Sequence, residues 1–424
     1  MSRLFAIATN QLAALVIGLL GVKLLSRYVP PDVNWIYQSF LTLAQLAVLL
    51  THPGLVNHAS RYWHRETTRS SEYARFLWTR SWINLKYLVP ILCAACVVLS
   101  VAQHRPFWIV AMPLLLVSNW AIATNAVASL ALNSSERHWA VCCFNVVGAA
   151  ARTSLPLGAV VVFGPGILAL TGGFAAHAIV IFGMILLLFS PSIQSSEPPI
   201  EVELQWRREL RDYGRPFFWL GLGGWLLQFA DRWVVASFFG DEQAGLFALA
   251  TGLGAYVPNL ILAALMQGVF PRFFREADLA KSRADWQILA HRSDQFTLLF
   301  LGASVVGLVG LQWCAPHLVG RLIDPRYQQA MGMILAAGLA AVTVQVNQFQ
   351  YLLLQGQHNS LGMVKVMLAV AGIKTLGSIV AATISWPAFL AWLILSVAIS
   401  AWLGRHLIRR EALRADPVMK ARDN

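Results

Sequence analysis

Charged side chains, and carboxylates above all, are scarce in this chain of 424 residues. Lys and Arg number 32 but Asp and Glu only 20, and charged residues make up 12% of the chain against 57% hydrophobic residues. Because an ordinary soluble domain carries about 25% charged residues, this composition excludes that class. The net charge of +12 arises mostly from cations between apolar segments, which favours membrane topology signals over nucleic-acid binding.

Catalytic and covalent signatures are absent as well. The sequence contains no D-x-D or H-E-x-x-H motif and no long loop opposite its basic loops, which disfavours an integral-membrane glycosyltransferase or glycan polymerase. The five cysteines lie within or beside apolar runs and predict no disulfide framework. We therefore predict a protein that is not an enzyme, without a metal or an organic cofactor.

Twelve apolar runs follow one another along the chain, each close to the roughly 20 residues that a helix needs to cross a bilayer. Six precede and six follow a polar segment in mid-chain, so both termini lie on one side. The sequence predicts an all-α polytopic membrane protein with spans at residues 5–25, 35–56, 83–102, 107–132, 139–163, 166–189, 217–238, 245–270, 296–315, 331–354, 362–384 and 388–403.

Alternate loops of this predicted topology differ in their cations, and short loops rich in Lys and Arg stay cytoplasmic. One set of loops is basic, whereas the opposite set holds little beyond Arg27, Arg105, Arg321 and Arg326. Both termini are therefore predicted to be cytoplasmic. The basic set includes Arg61, Arg65, Arg69, Arg75, Arg207, Arg208, Arg211, Arg215, Arg272, Arg275, Lys281, Arg283, Arg292, Arg405, Arg409 and Arg410.

The second half of the chain repeats features of the first. Ile36-Tyr37 followed by Trp63-His64-Arg65-Glu66 matches Leu246-Phe247 followed by Phe273-Phe274-Arg275-Glu276 at the same separation, and Arg152-Thr153 matches Lys374-Thr375. Parallel six-helix repeats around a central cavity are a transporter architecture. The predicted domains are an N-terminal bundle at residues 1–194, a cytoplasmic linker at 195–215, a C-terminal bundle at 216–405 and a basic tail at 406–424.

Two readings of the linker stay open. Leu204, Trp206 and Leu210 can be grouped toward one side of a helix while its arginines face lipid headgroups, which predicts an interfacial helix. The alternative is a solvated connector.

Charges within the spans are few and mostly positive. Arg152 and Lys374 occupy equivalent repeat positions well inside their spans, and we predict that they project into a shared cavity that binds phosphate or diphosphate. Arg232 is a third candidate for this cationic site. Asp231 is the one clear carboxylate at membrane depth; it either binds a coupling H⁺ or Na⁺ or pairs with a cation such as Arg152 or Lys374.

Three segments carry a resemblance to a known family. The run from Phe229 to Phe247, Phe270-Pro271-Arg272 and the run from Leu318 to Ala330 resemble the corresponding parts of the Wzx-type polysaccharide flippases. That family belongs to the multidrug/oligosaccharidyl-lipid/polysaccharide exporter superfamily. Its seventh-span Asp maps to Asp231. The chain departs from the family at Asn34-Trp35, where a small residue or Gly is common.

The resemblance implies a flippase that moves a polyprenyl-diphosphate-linked oligosaccharide, usually on undecaprenyl diphosphate, to the outer leaflet of the bacterial cytoplasmic (inner) membrane for surface polysaccharide synthesis, for example O-antigen or exopolysaccharide. Its expected partners are the lipid-linked glycan and membrane lipids, together with a polysaccharide polymerase and a chain-length regulator. The alternatives are an ion-coupled multidrug exporter of the same superfamily, an integral-membrane glycan polymerase or transferase, and a non-catalytic scaffold.

Overall fold

The computed structural model describes most of the chain. The described residues are 3–52, 54–55, 58, 66, 69–102, 107–134, 138–193, 197–280, 282–318, 323–357 and 359–414. Trp63-His64-Arg65 of the first repeat motif, Arg321 and residues 415–424 of the predicted tail lie outside them.

The described residues contain twelve α-helices of 21 to 40 residues and no strand. A helix satisfies its own backbone hydrogen bonds, which is required in a bilayer that offers no water. In chain order the helices are α1 Arg3–Tyr28, α2 Pro31–Thr51, α3 Ser70–Ala102, α4 Phe107–Ser134, α5 His138–Phe163, α6 Ile167–Ile193, α7 Ile200–Phe239, α8 Asp241–Leu279, α9 Arg283–Leu318, α10 Ile334–Gly356, α11 Ser360–Ile384 and α12 Trp386–Arg414, with a 3₁₀ helix at Pro325–Met333 before α10.

Each of the twelve predicted spans overlaps one of these helices, and the predicted all-α polytopic membrane fold is confirmed. Within the described residues, seven helical segments are long and apolar enough to cross a membrane. They are Cys142–Phe163, Ile167–Leu187, Asp241–Leu262, Arg283–His317, Pro325–Gly356, Ser360–Ile384 and Trp386–Ala412.

The chain divides into two compact units, Met1–Gly221 and Leu222–Asn424, with the boundary inside α7. When the helices of each half are counted from one to six, corresponding pairs of helices are in contact in both halves. In the N-terminal half α1 packs on α5, α2 on α4, α3 on α4, α4 on α6 and α5 on α6. In the C-terminal half α8 packs on α10, α9 on α10, α10 on α12 and α11 on α12, and the hydrogen bonds from Lys374 and Ser378 to Asp231 join α11 to α7. The two halves are therefore structural repeats.

One aromatic contact recurs in both halves at the positions of the sequence repeat. Tyr37 of α2 meets Phe174 of α6 edge to face, with ring centroids 6.4 Å apart. Phe247 of α8 meets Phe389 of α12 in the same way at 5.8 Å. All four rings are buried, so the Ile36-Tyr37 and Leu246-Phe247 pairs mark the same packing site between the second and sixth helices of each half.

The polar linker forms the first part of α7 and packs on α3. Trp206 is 1% exposed and lies against Tyr73 and Phe76, with Val202 and Leu210 beside it. These linker residues are four apart and share a helix face. The sequence grouping of Leu204 with Trp206 was wrong, because a residue two positions away points to the opposite side, and Leu204 is 44% exposed.

Close helix contact in the N-terminal half depends on Gly173. A Cβ added at Gly173 of α6 would lie 2.6 Å from the backbone oxygen of Leu155 in α5, whereas a Cβ at the adjacent Gly172 would meet nothing within 4 Å. Small residues are what allow helix backbones to approach this closely in membranes.

Gly173→Ala should therefore destabilise the protein by about 1–3 kcal/mol, the usual cost of overpacking a site whose neighbour is backbone. Gly172→Ala is the matched control and should be neutral or slightly stabilising, since Ala favours a helix over Gly. Thermal unfolding of the two variants in the same detergent measures the difference. Equal unfolding temperatures would contradict this packing.

Candidate functional site: a cationic cavity and a buried ion pair

The N-terminal half contains a cavity of about 340 Å³ between α2, α4, α5 and α6. Polar side chains contributed by all four helices line it, and two aromatic rings complete the wall. Its lining residues are Leu41, Gln45, Asn125, Phe144, Asn145, Gly148, Ala149, Arg152, Phe174, His177 and Ile181.

Arg152 is the cation of this cavity. Its side chain is exposed, and among the described residues it forms no hydrogen bond or ion pair. Its charge acts electrostatically on Tyr37 and His177. A guanidinium at membrane depth must be paired or hydrated. Arg152 is thus positioned to meet a negatively charged group in the cavity.

The helix α1 packs on α5 without offering Arg152 a counter-ion. Gly21 of α1 faces Thr153, and a Cβ at Gly21 would lie 2.8 Å from the Thr153 methyl group. α1 contains no Asp or Glu, whereas α7, which contacts Lys374 in the C-terminal half, contributes Asp231.

Other polar side chains line the cavity around Arg152. His177 is 7% exposed, and its Nδ1 has no hydrogen-bond partner among the described residues. Asn125 and Asn145 are half-buried, and Gln45 is exposed. None of these four polar residues is charged, so charge alone does not single them out in the sequence. Gln45 does carry a positional signal, since it lies two helical turns after Tyr37 and therefore on the same face of α2.

In the C-terminal half the structure brings Lys374 and Asp231 together. The Lys374 Nζ donates to Asp231 Oδ2 at 2.5 Å and to the Leu227 carbonyl oxygen at 2.6 Å. The Ser378 hydroxyl donates to Asp231 Oδ1 at 2.7 Å. The exposed fractions of the Lys374 and Asp231 side chains are 1% and 5%. Both carboxylate oxygens are thus engaged, and the ammonium points at its counter-ion.

Backbone and ring contacts hold this pair in place. Lys374 and Ser378 are one turn apart on α11, as are Leu227 and Asp231 on α7, so each helix presents two groups on one face. The Trp392 indole N–H of α12 donates to the Lys374 carbonyl oxygen at 3.1 Å. A Cβ at Gly377 would overlap the Trp392 ring, so glycine is required for this close α11–α12 contact.

Arg232 takes a different direction from Asp231, as expected for adjacent residues on a helix. Its guanidinium lies over the Phe229 ring, 5.3 Å from the centroid, and the side chain is half-buried. The assignment of Arg152, Lys374 and Arg232 to a substrate remains a prediction, as does the coupling role of Asp231.

The other cations within the predicted spans have exposed side chains. These are Lys23, Lys86 and Lys365, and Lys365 approaches Glu411 at 3.5 Å. Exposed lysine side chains near the end of a span can reach the membrane surface.

A model of the polysaccharide biosynthesis protein family matches residues 3–276. The chain belongs to this family. The name of this family agrees with the resemblance noted in the segment from Phe229 to Phe247, which lies within the matched range. No curated protein matches the chain.

Solved structures similar to this member of the family are transporters of the MOP superfamily. An inward-facing multidrug resistance MATE transporter has a TM-score of 0.65 at 14% identity, covering 98% of this chain and all of the other. A Vibrio cholerae MATE transporter has a TM-score of 0.63 at 15% identity, covering 98% and 99%. A MOP transporter from Pyrococcus furiosus, described as having a binding pocket of reversed polarity, has a TM-score of 0.62 at 13% identity, covering 97% and 96%. At these identities the likeness shows the fold alone.

Removing Lys374 should lower the stability of the protein, because Asp231 then stays buried without its counter-ion. Lys374→Met leaves the Asp231 carboxylate buried with Ser378 as its remaining side-chain partner, which should destabilise the protein by about 3–5 kcal/mol. The double variant Asp231→Asn with Lys374→Met removes both charges and should recover most of that loss. Thermal unfolding in detergent measures both variants.

Lys365→Met is the matched control on the same helix. Lys365 is 68% exposed and pairs with Glu411 near the surface, so its loss should cost under about 1 kcal/mol. If Lys374→Met were no more destabilising than Lys365→Met, the buried ion pair would not be important for stability.

Proposed function

We propose that the protein is a flippase that moves a lipid-diphosphate-linked oligosaccharide from the inner to the outer leaflet of the bacterial cytoplasmic membrane for surface polysaccharide synthesis. Family membership and a transporter fold support this proposal. The observation that carries it is the exposed Arg152 guanidinium in a cavity of the N-terminal half. That cation has no partner among the described side chains, and a diphosphate supplies one.

The cavity chemistry matches both parts of such a substrate head. A guanidinium binds phosphate oxygens through two parallel hydrogen bonds, which an ammonium cannot reproduce. Asn125, Asn145 and Gln45 offer amide donors and acceptors to sugar hydroxyls. A cavity of about 340 Å³ accommodates the diphosphate and the adjoining sugar better than a whole oligosaccharide, so we expect Arg152 to act on the head of the substrate.

Transport then follows alternating access, in which the substrate head crosses the membrane while its polyprenyl chain stays in the lipid. An inward-negative potential favours outward movement of the anionic head, by about 2.3 kcal/mol per elementary charge at 100 mV. With both termini in the cytoplasm, the head would enter from the side of the basic loops. A polymerase and a chain-length regulator would use the exported glycan.

We further propose that Asp231 serves as the counter-ion of Lys374. Both of its oxygens are engaged, so binding of H⁺ or Na⁺ requires that Lys374 first moves away. This argues for the charge-pairing alternative over direct ion coupling.

Ion coupling can be tested with Asp231→Asn. If Asp231 is only a counter-ion, transport by this variant should keep the wild-type dependence on proton and sodium gradients, even at a reduced rate. Glycan transport in vesicles under imposed gradients measures this dependence. Loss of the response to one gradient would instead assign Asp231 to coupling of that ion.

The rival function is export of multidrug substrates, since similar structures carry that description. A cationic drug requires an acidic cavity, but the charged group at this cavity is Arg152, and α1 contributes no carboxylate. The charge of the cavity thus favours an anionic substrate.

Arg152→Ala should abolish or strongly reduce glycan export, because the anionic head loses its guanidinium partner. Loss of one charge-assisted hydrogen bond alone costs about 1.5–3 kcal/mol, or roughly 10- to 150-fold in binding. Arg152→Lys should restore export only partly, since an ammonium lacks the bidentate geometry. Surface glycan in cells that depend on this protein is the measurement.

Lys23→Ala provides the control. It removes one exposed cation from α1, a helix outside the cavity wall, and should leave export unchanged. Equal amounts of each variant in the membrane must be verified. Wild-type export by Arg152→Ala at normal abundance would refute the proposed site.

A further inference from the structure

A second pocket lies in the C-terminal half, away from the charged residues discussed above. It has a volume of about 230 Å³ and is formed by the start of α9 and the ends of α10 and α12. These helix ends lie on the side that the sequence predicts to be cytoplasmic. Its wall includes Trp286, Ala290, Leu353, Gln357, Arg409 and Ala412.

The pocket is built by local contacts that fix its walls. Ser282 and Asp285 cap α9 reciprocally, with backbone-to-side-chain distances of 2.9 and 3.2 Å, which sets the position of Trp286 in the first turn. The Trp286 ring packs beside Gly356, where a Cβ would lie 3.5 Å from the ring. Gln357 donates to the Ala412 carbonyl oxygen at 3.1 Å and joins α10 to α12. The opening is therefore a defined cavity between three helices.

The rim of the pocket, which consists of Arg409 in its wall and Arg405 one turn earlier on α12, carries excess positive charge. Arg405 and Arg409 both pair with Asp294, leaving one net positive charge, and their side chains are 49% and 43% exposed. Two donors at the wall, Trp286 Nε1 and Arg409 Nε, are buried without an acceptor among the described residues. An apolar wall below a basic rim suits an amphiphile with a negatively charged head.

The repeat reveals what covers the same helix face in the other half. Tyr73 and Trp286 are each the fourth residue of their helix. Counted from that point, Tyr73, Ala74 and Leu77 of α3 correspond to Trp286, Gln287 and Ala290 of α9. In the N-terminal half this face is covered by Trp206.

The covering segment in the N-terminal half is apolar where it touches α3 and acidic at its edge. Glu197 pairs with Arg75 at 2.7 Å, and Glu203 approaches Arg80 at 4.0 Å. The face of α9 lacks such a cover among the described residues, while its surroundings remain basic. A ligand that covers this face in the same way would combine an apolar body with negative charge.

We propose that this pocket binds an anionic phospholipid, with part of one acyl chain against Trp286 and Ala290 and the phosphate at Arg405 and Arg409. Ile288 and Trp402, which flank the pocket on α9 and α12, are 55% and 67% exposed, as expected of surfaces that face lipid. The volume suits part of an acyl chain rather than a protein helix of about 10 Å diameter. Basic pockets between helices on the cytoplasmic side are known sites for anionic lipid heads.

Native mass spectrometry of the full chain in neutral detergent, titrated with dioleoyl phosphatidylglycerol or dioleoyl phosphatidylcholine, tests this site. The wild type should bind phosphatidylglycerol in preference to phosphatidylcholine. Arg409→Gln should weaken phosphatidylglycerol binding about tenfold, the loss expected for one charge-assisted hydrogen bond. Ala290→Phe, which fills the pocket without changing charge, should weaken it at least as much.

Arg410→Gln is the matched control, since Arg410 is exposed and adjacent but does not line the pocket; binding should change by less than about twofold. Equal losses in Arg409→Gln and Arg410→Gln would overturn the proposal in favour of diffuse surface attraction. Equal competition by soluble glycerol phosphate would overturn it in favour of a headgroup-only anion site. If Ala290→Phe fails to fold, the two arginine variants decide. No step of the assay depends on glycan transport.

Discussion

A charge held at membrane depth must be either paired or hydrated, and the two halves of this protein meet that requirement in opposite ways. In the C-terminal half Lys374 is neutralised by Asp231 inside a closely packed contact between α7 and α11. In the N-terminal half α1, which packs on α5, contains no Asp or Glu, and Arg152 is exposed at a polar cavity. The C-terminal half thus contains a closed ion pair, while the N-terminal half has the open cation that the proposed anionic substrate would bind.

This division is possible because the repeat preserves packing while the chemistry at individual positions changes. The same helix pairs and the same aromatic contact between the second and sixth helices recur in both halves. Single positions within this framework then differ, as the exposed Arg152 does from the buried Lys374. The third helix of each half, α3 or α9, shows the same principle. Trp206 covers the face of α3 that contains Tyr73, whereas the corresponding face of α9 forms a pocket at Trp286.

Much of the fold was predictable because its strongest signal is local. A run of about 20 apolar residues must form a helix in a bilayer, so the twelve spans followed from the sequence without any knowledge of contacts. The candidate site was only partly predictable. Arg152 stood out as a charged residue in an apolar run, but Gln45 was recognisable only by its helical spacing from Tyr37. The prediction for Leu204 was wrong because a residue two positions before Trp206 points to the opposite side of an α-helix.

By itself, the sequence determined the all-helical membrane fold, the repeat and the identity of the few charges at membrane depth, since each depends on residue type and spacing alone. Only the tertiary structure decided which cation is neutralised. Asp231 is 143 residues from Lys374 along the chain, and a pairing over such a distance depends on how α7 packs on α11. The exposure of Arg152 and the covering of α3 by Trp206 were decided in the same way, because both result from contacts between helices that have no local sequence signal.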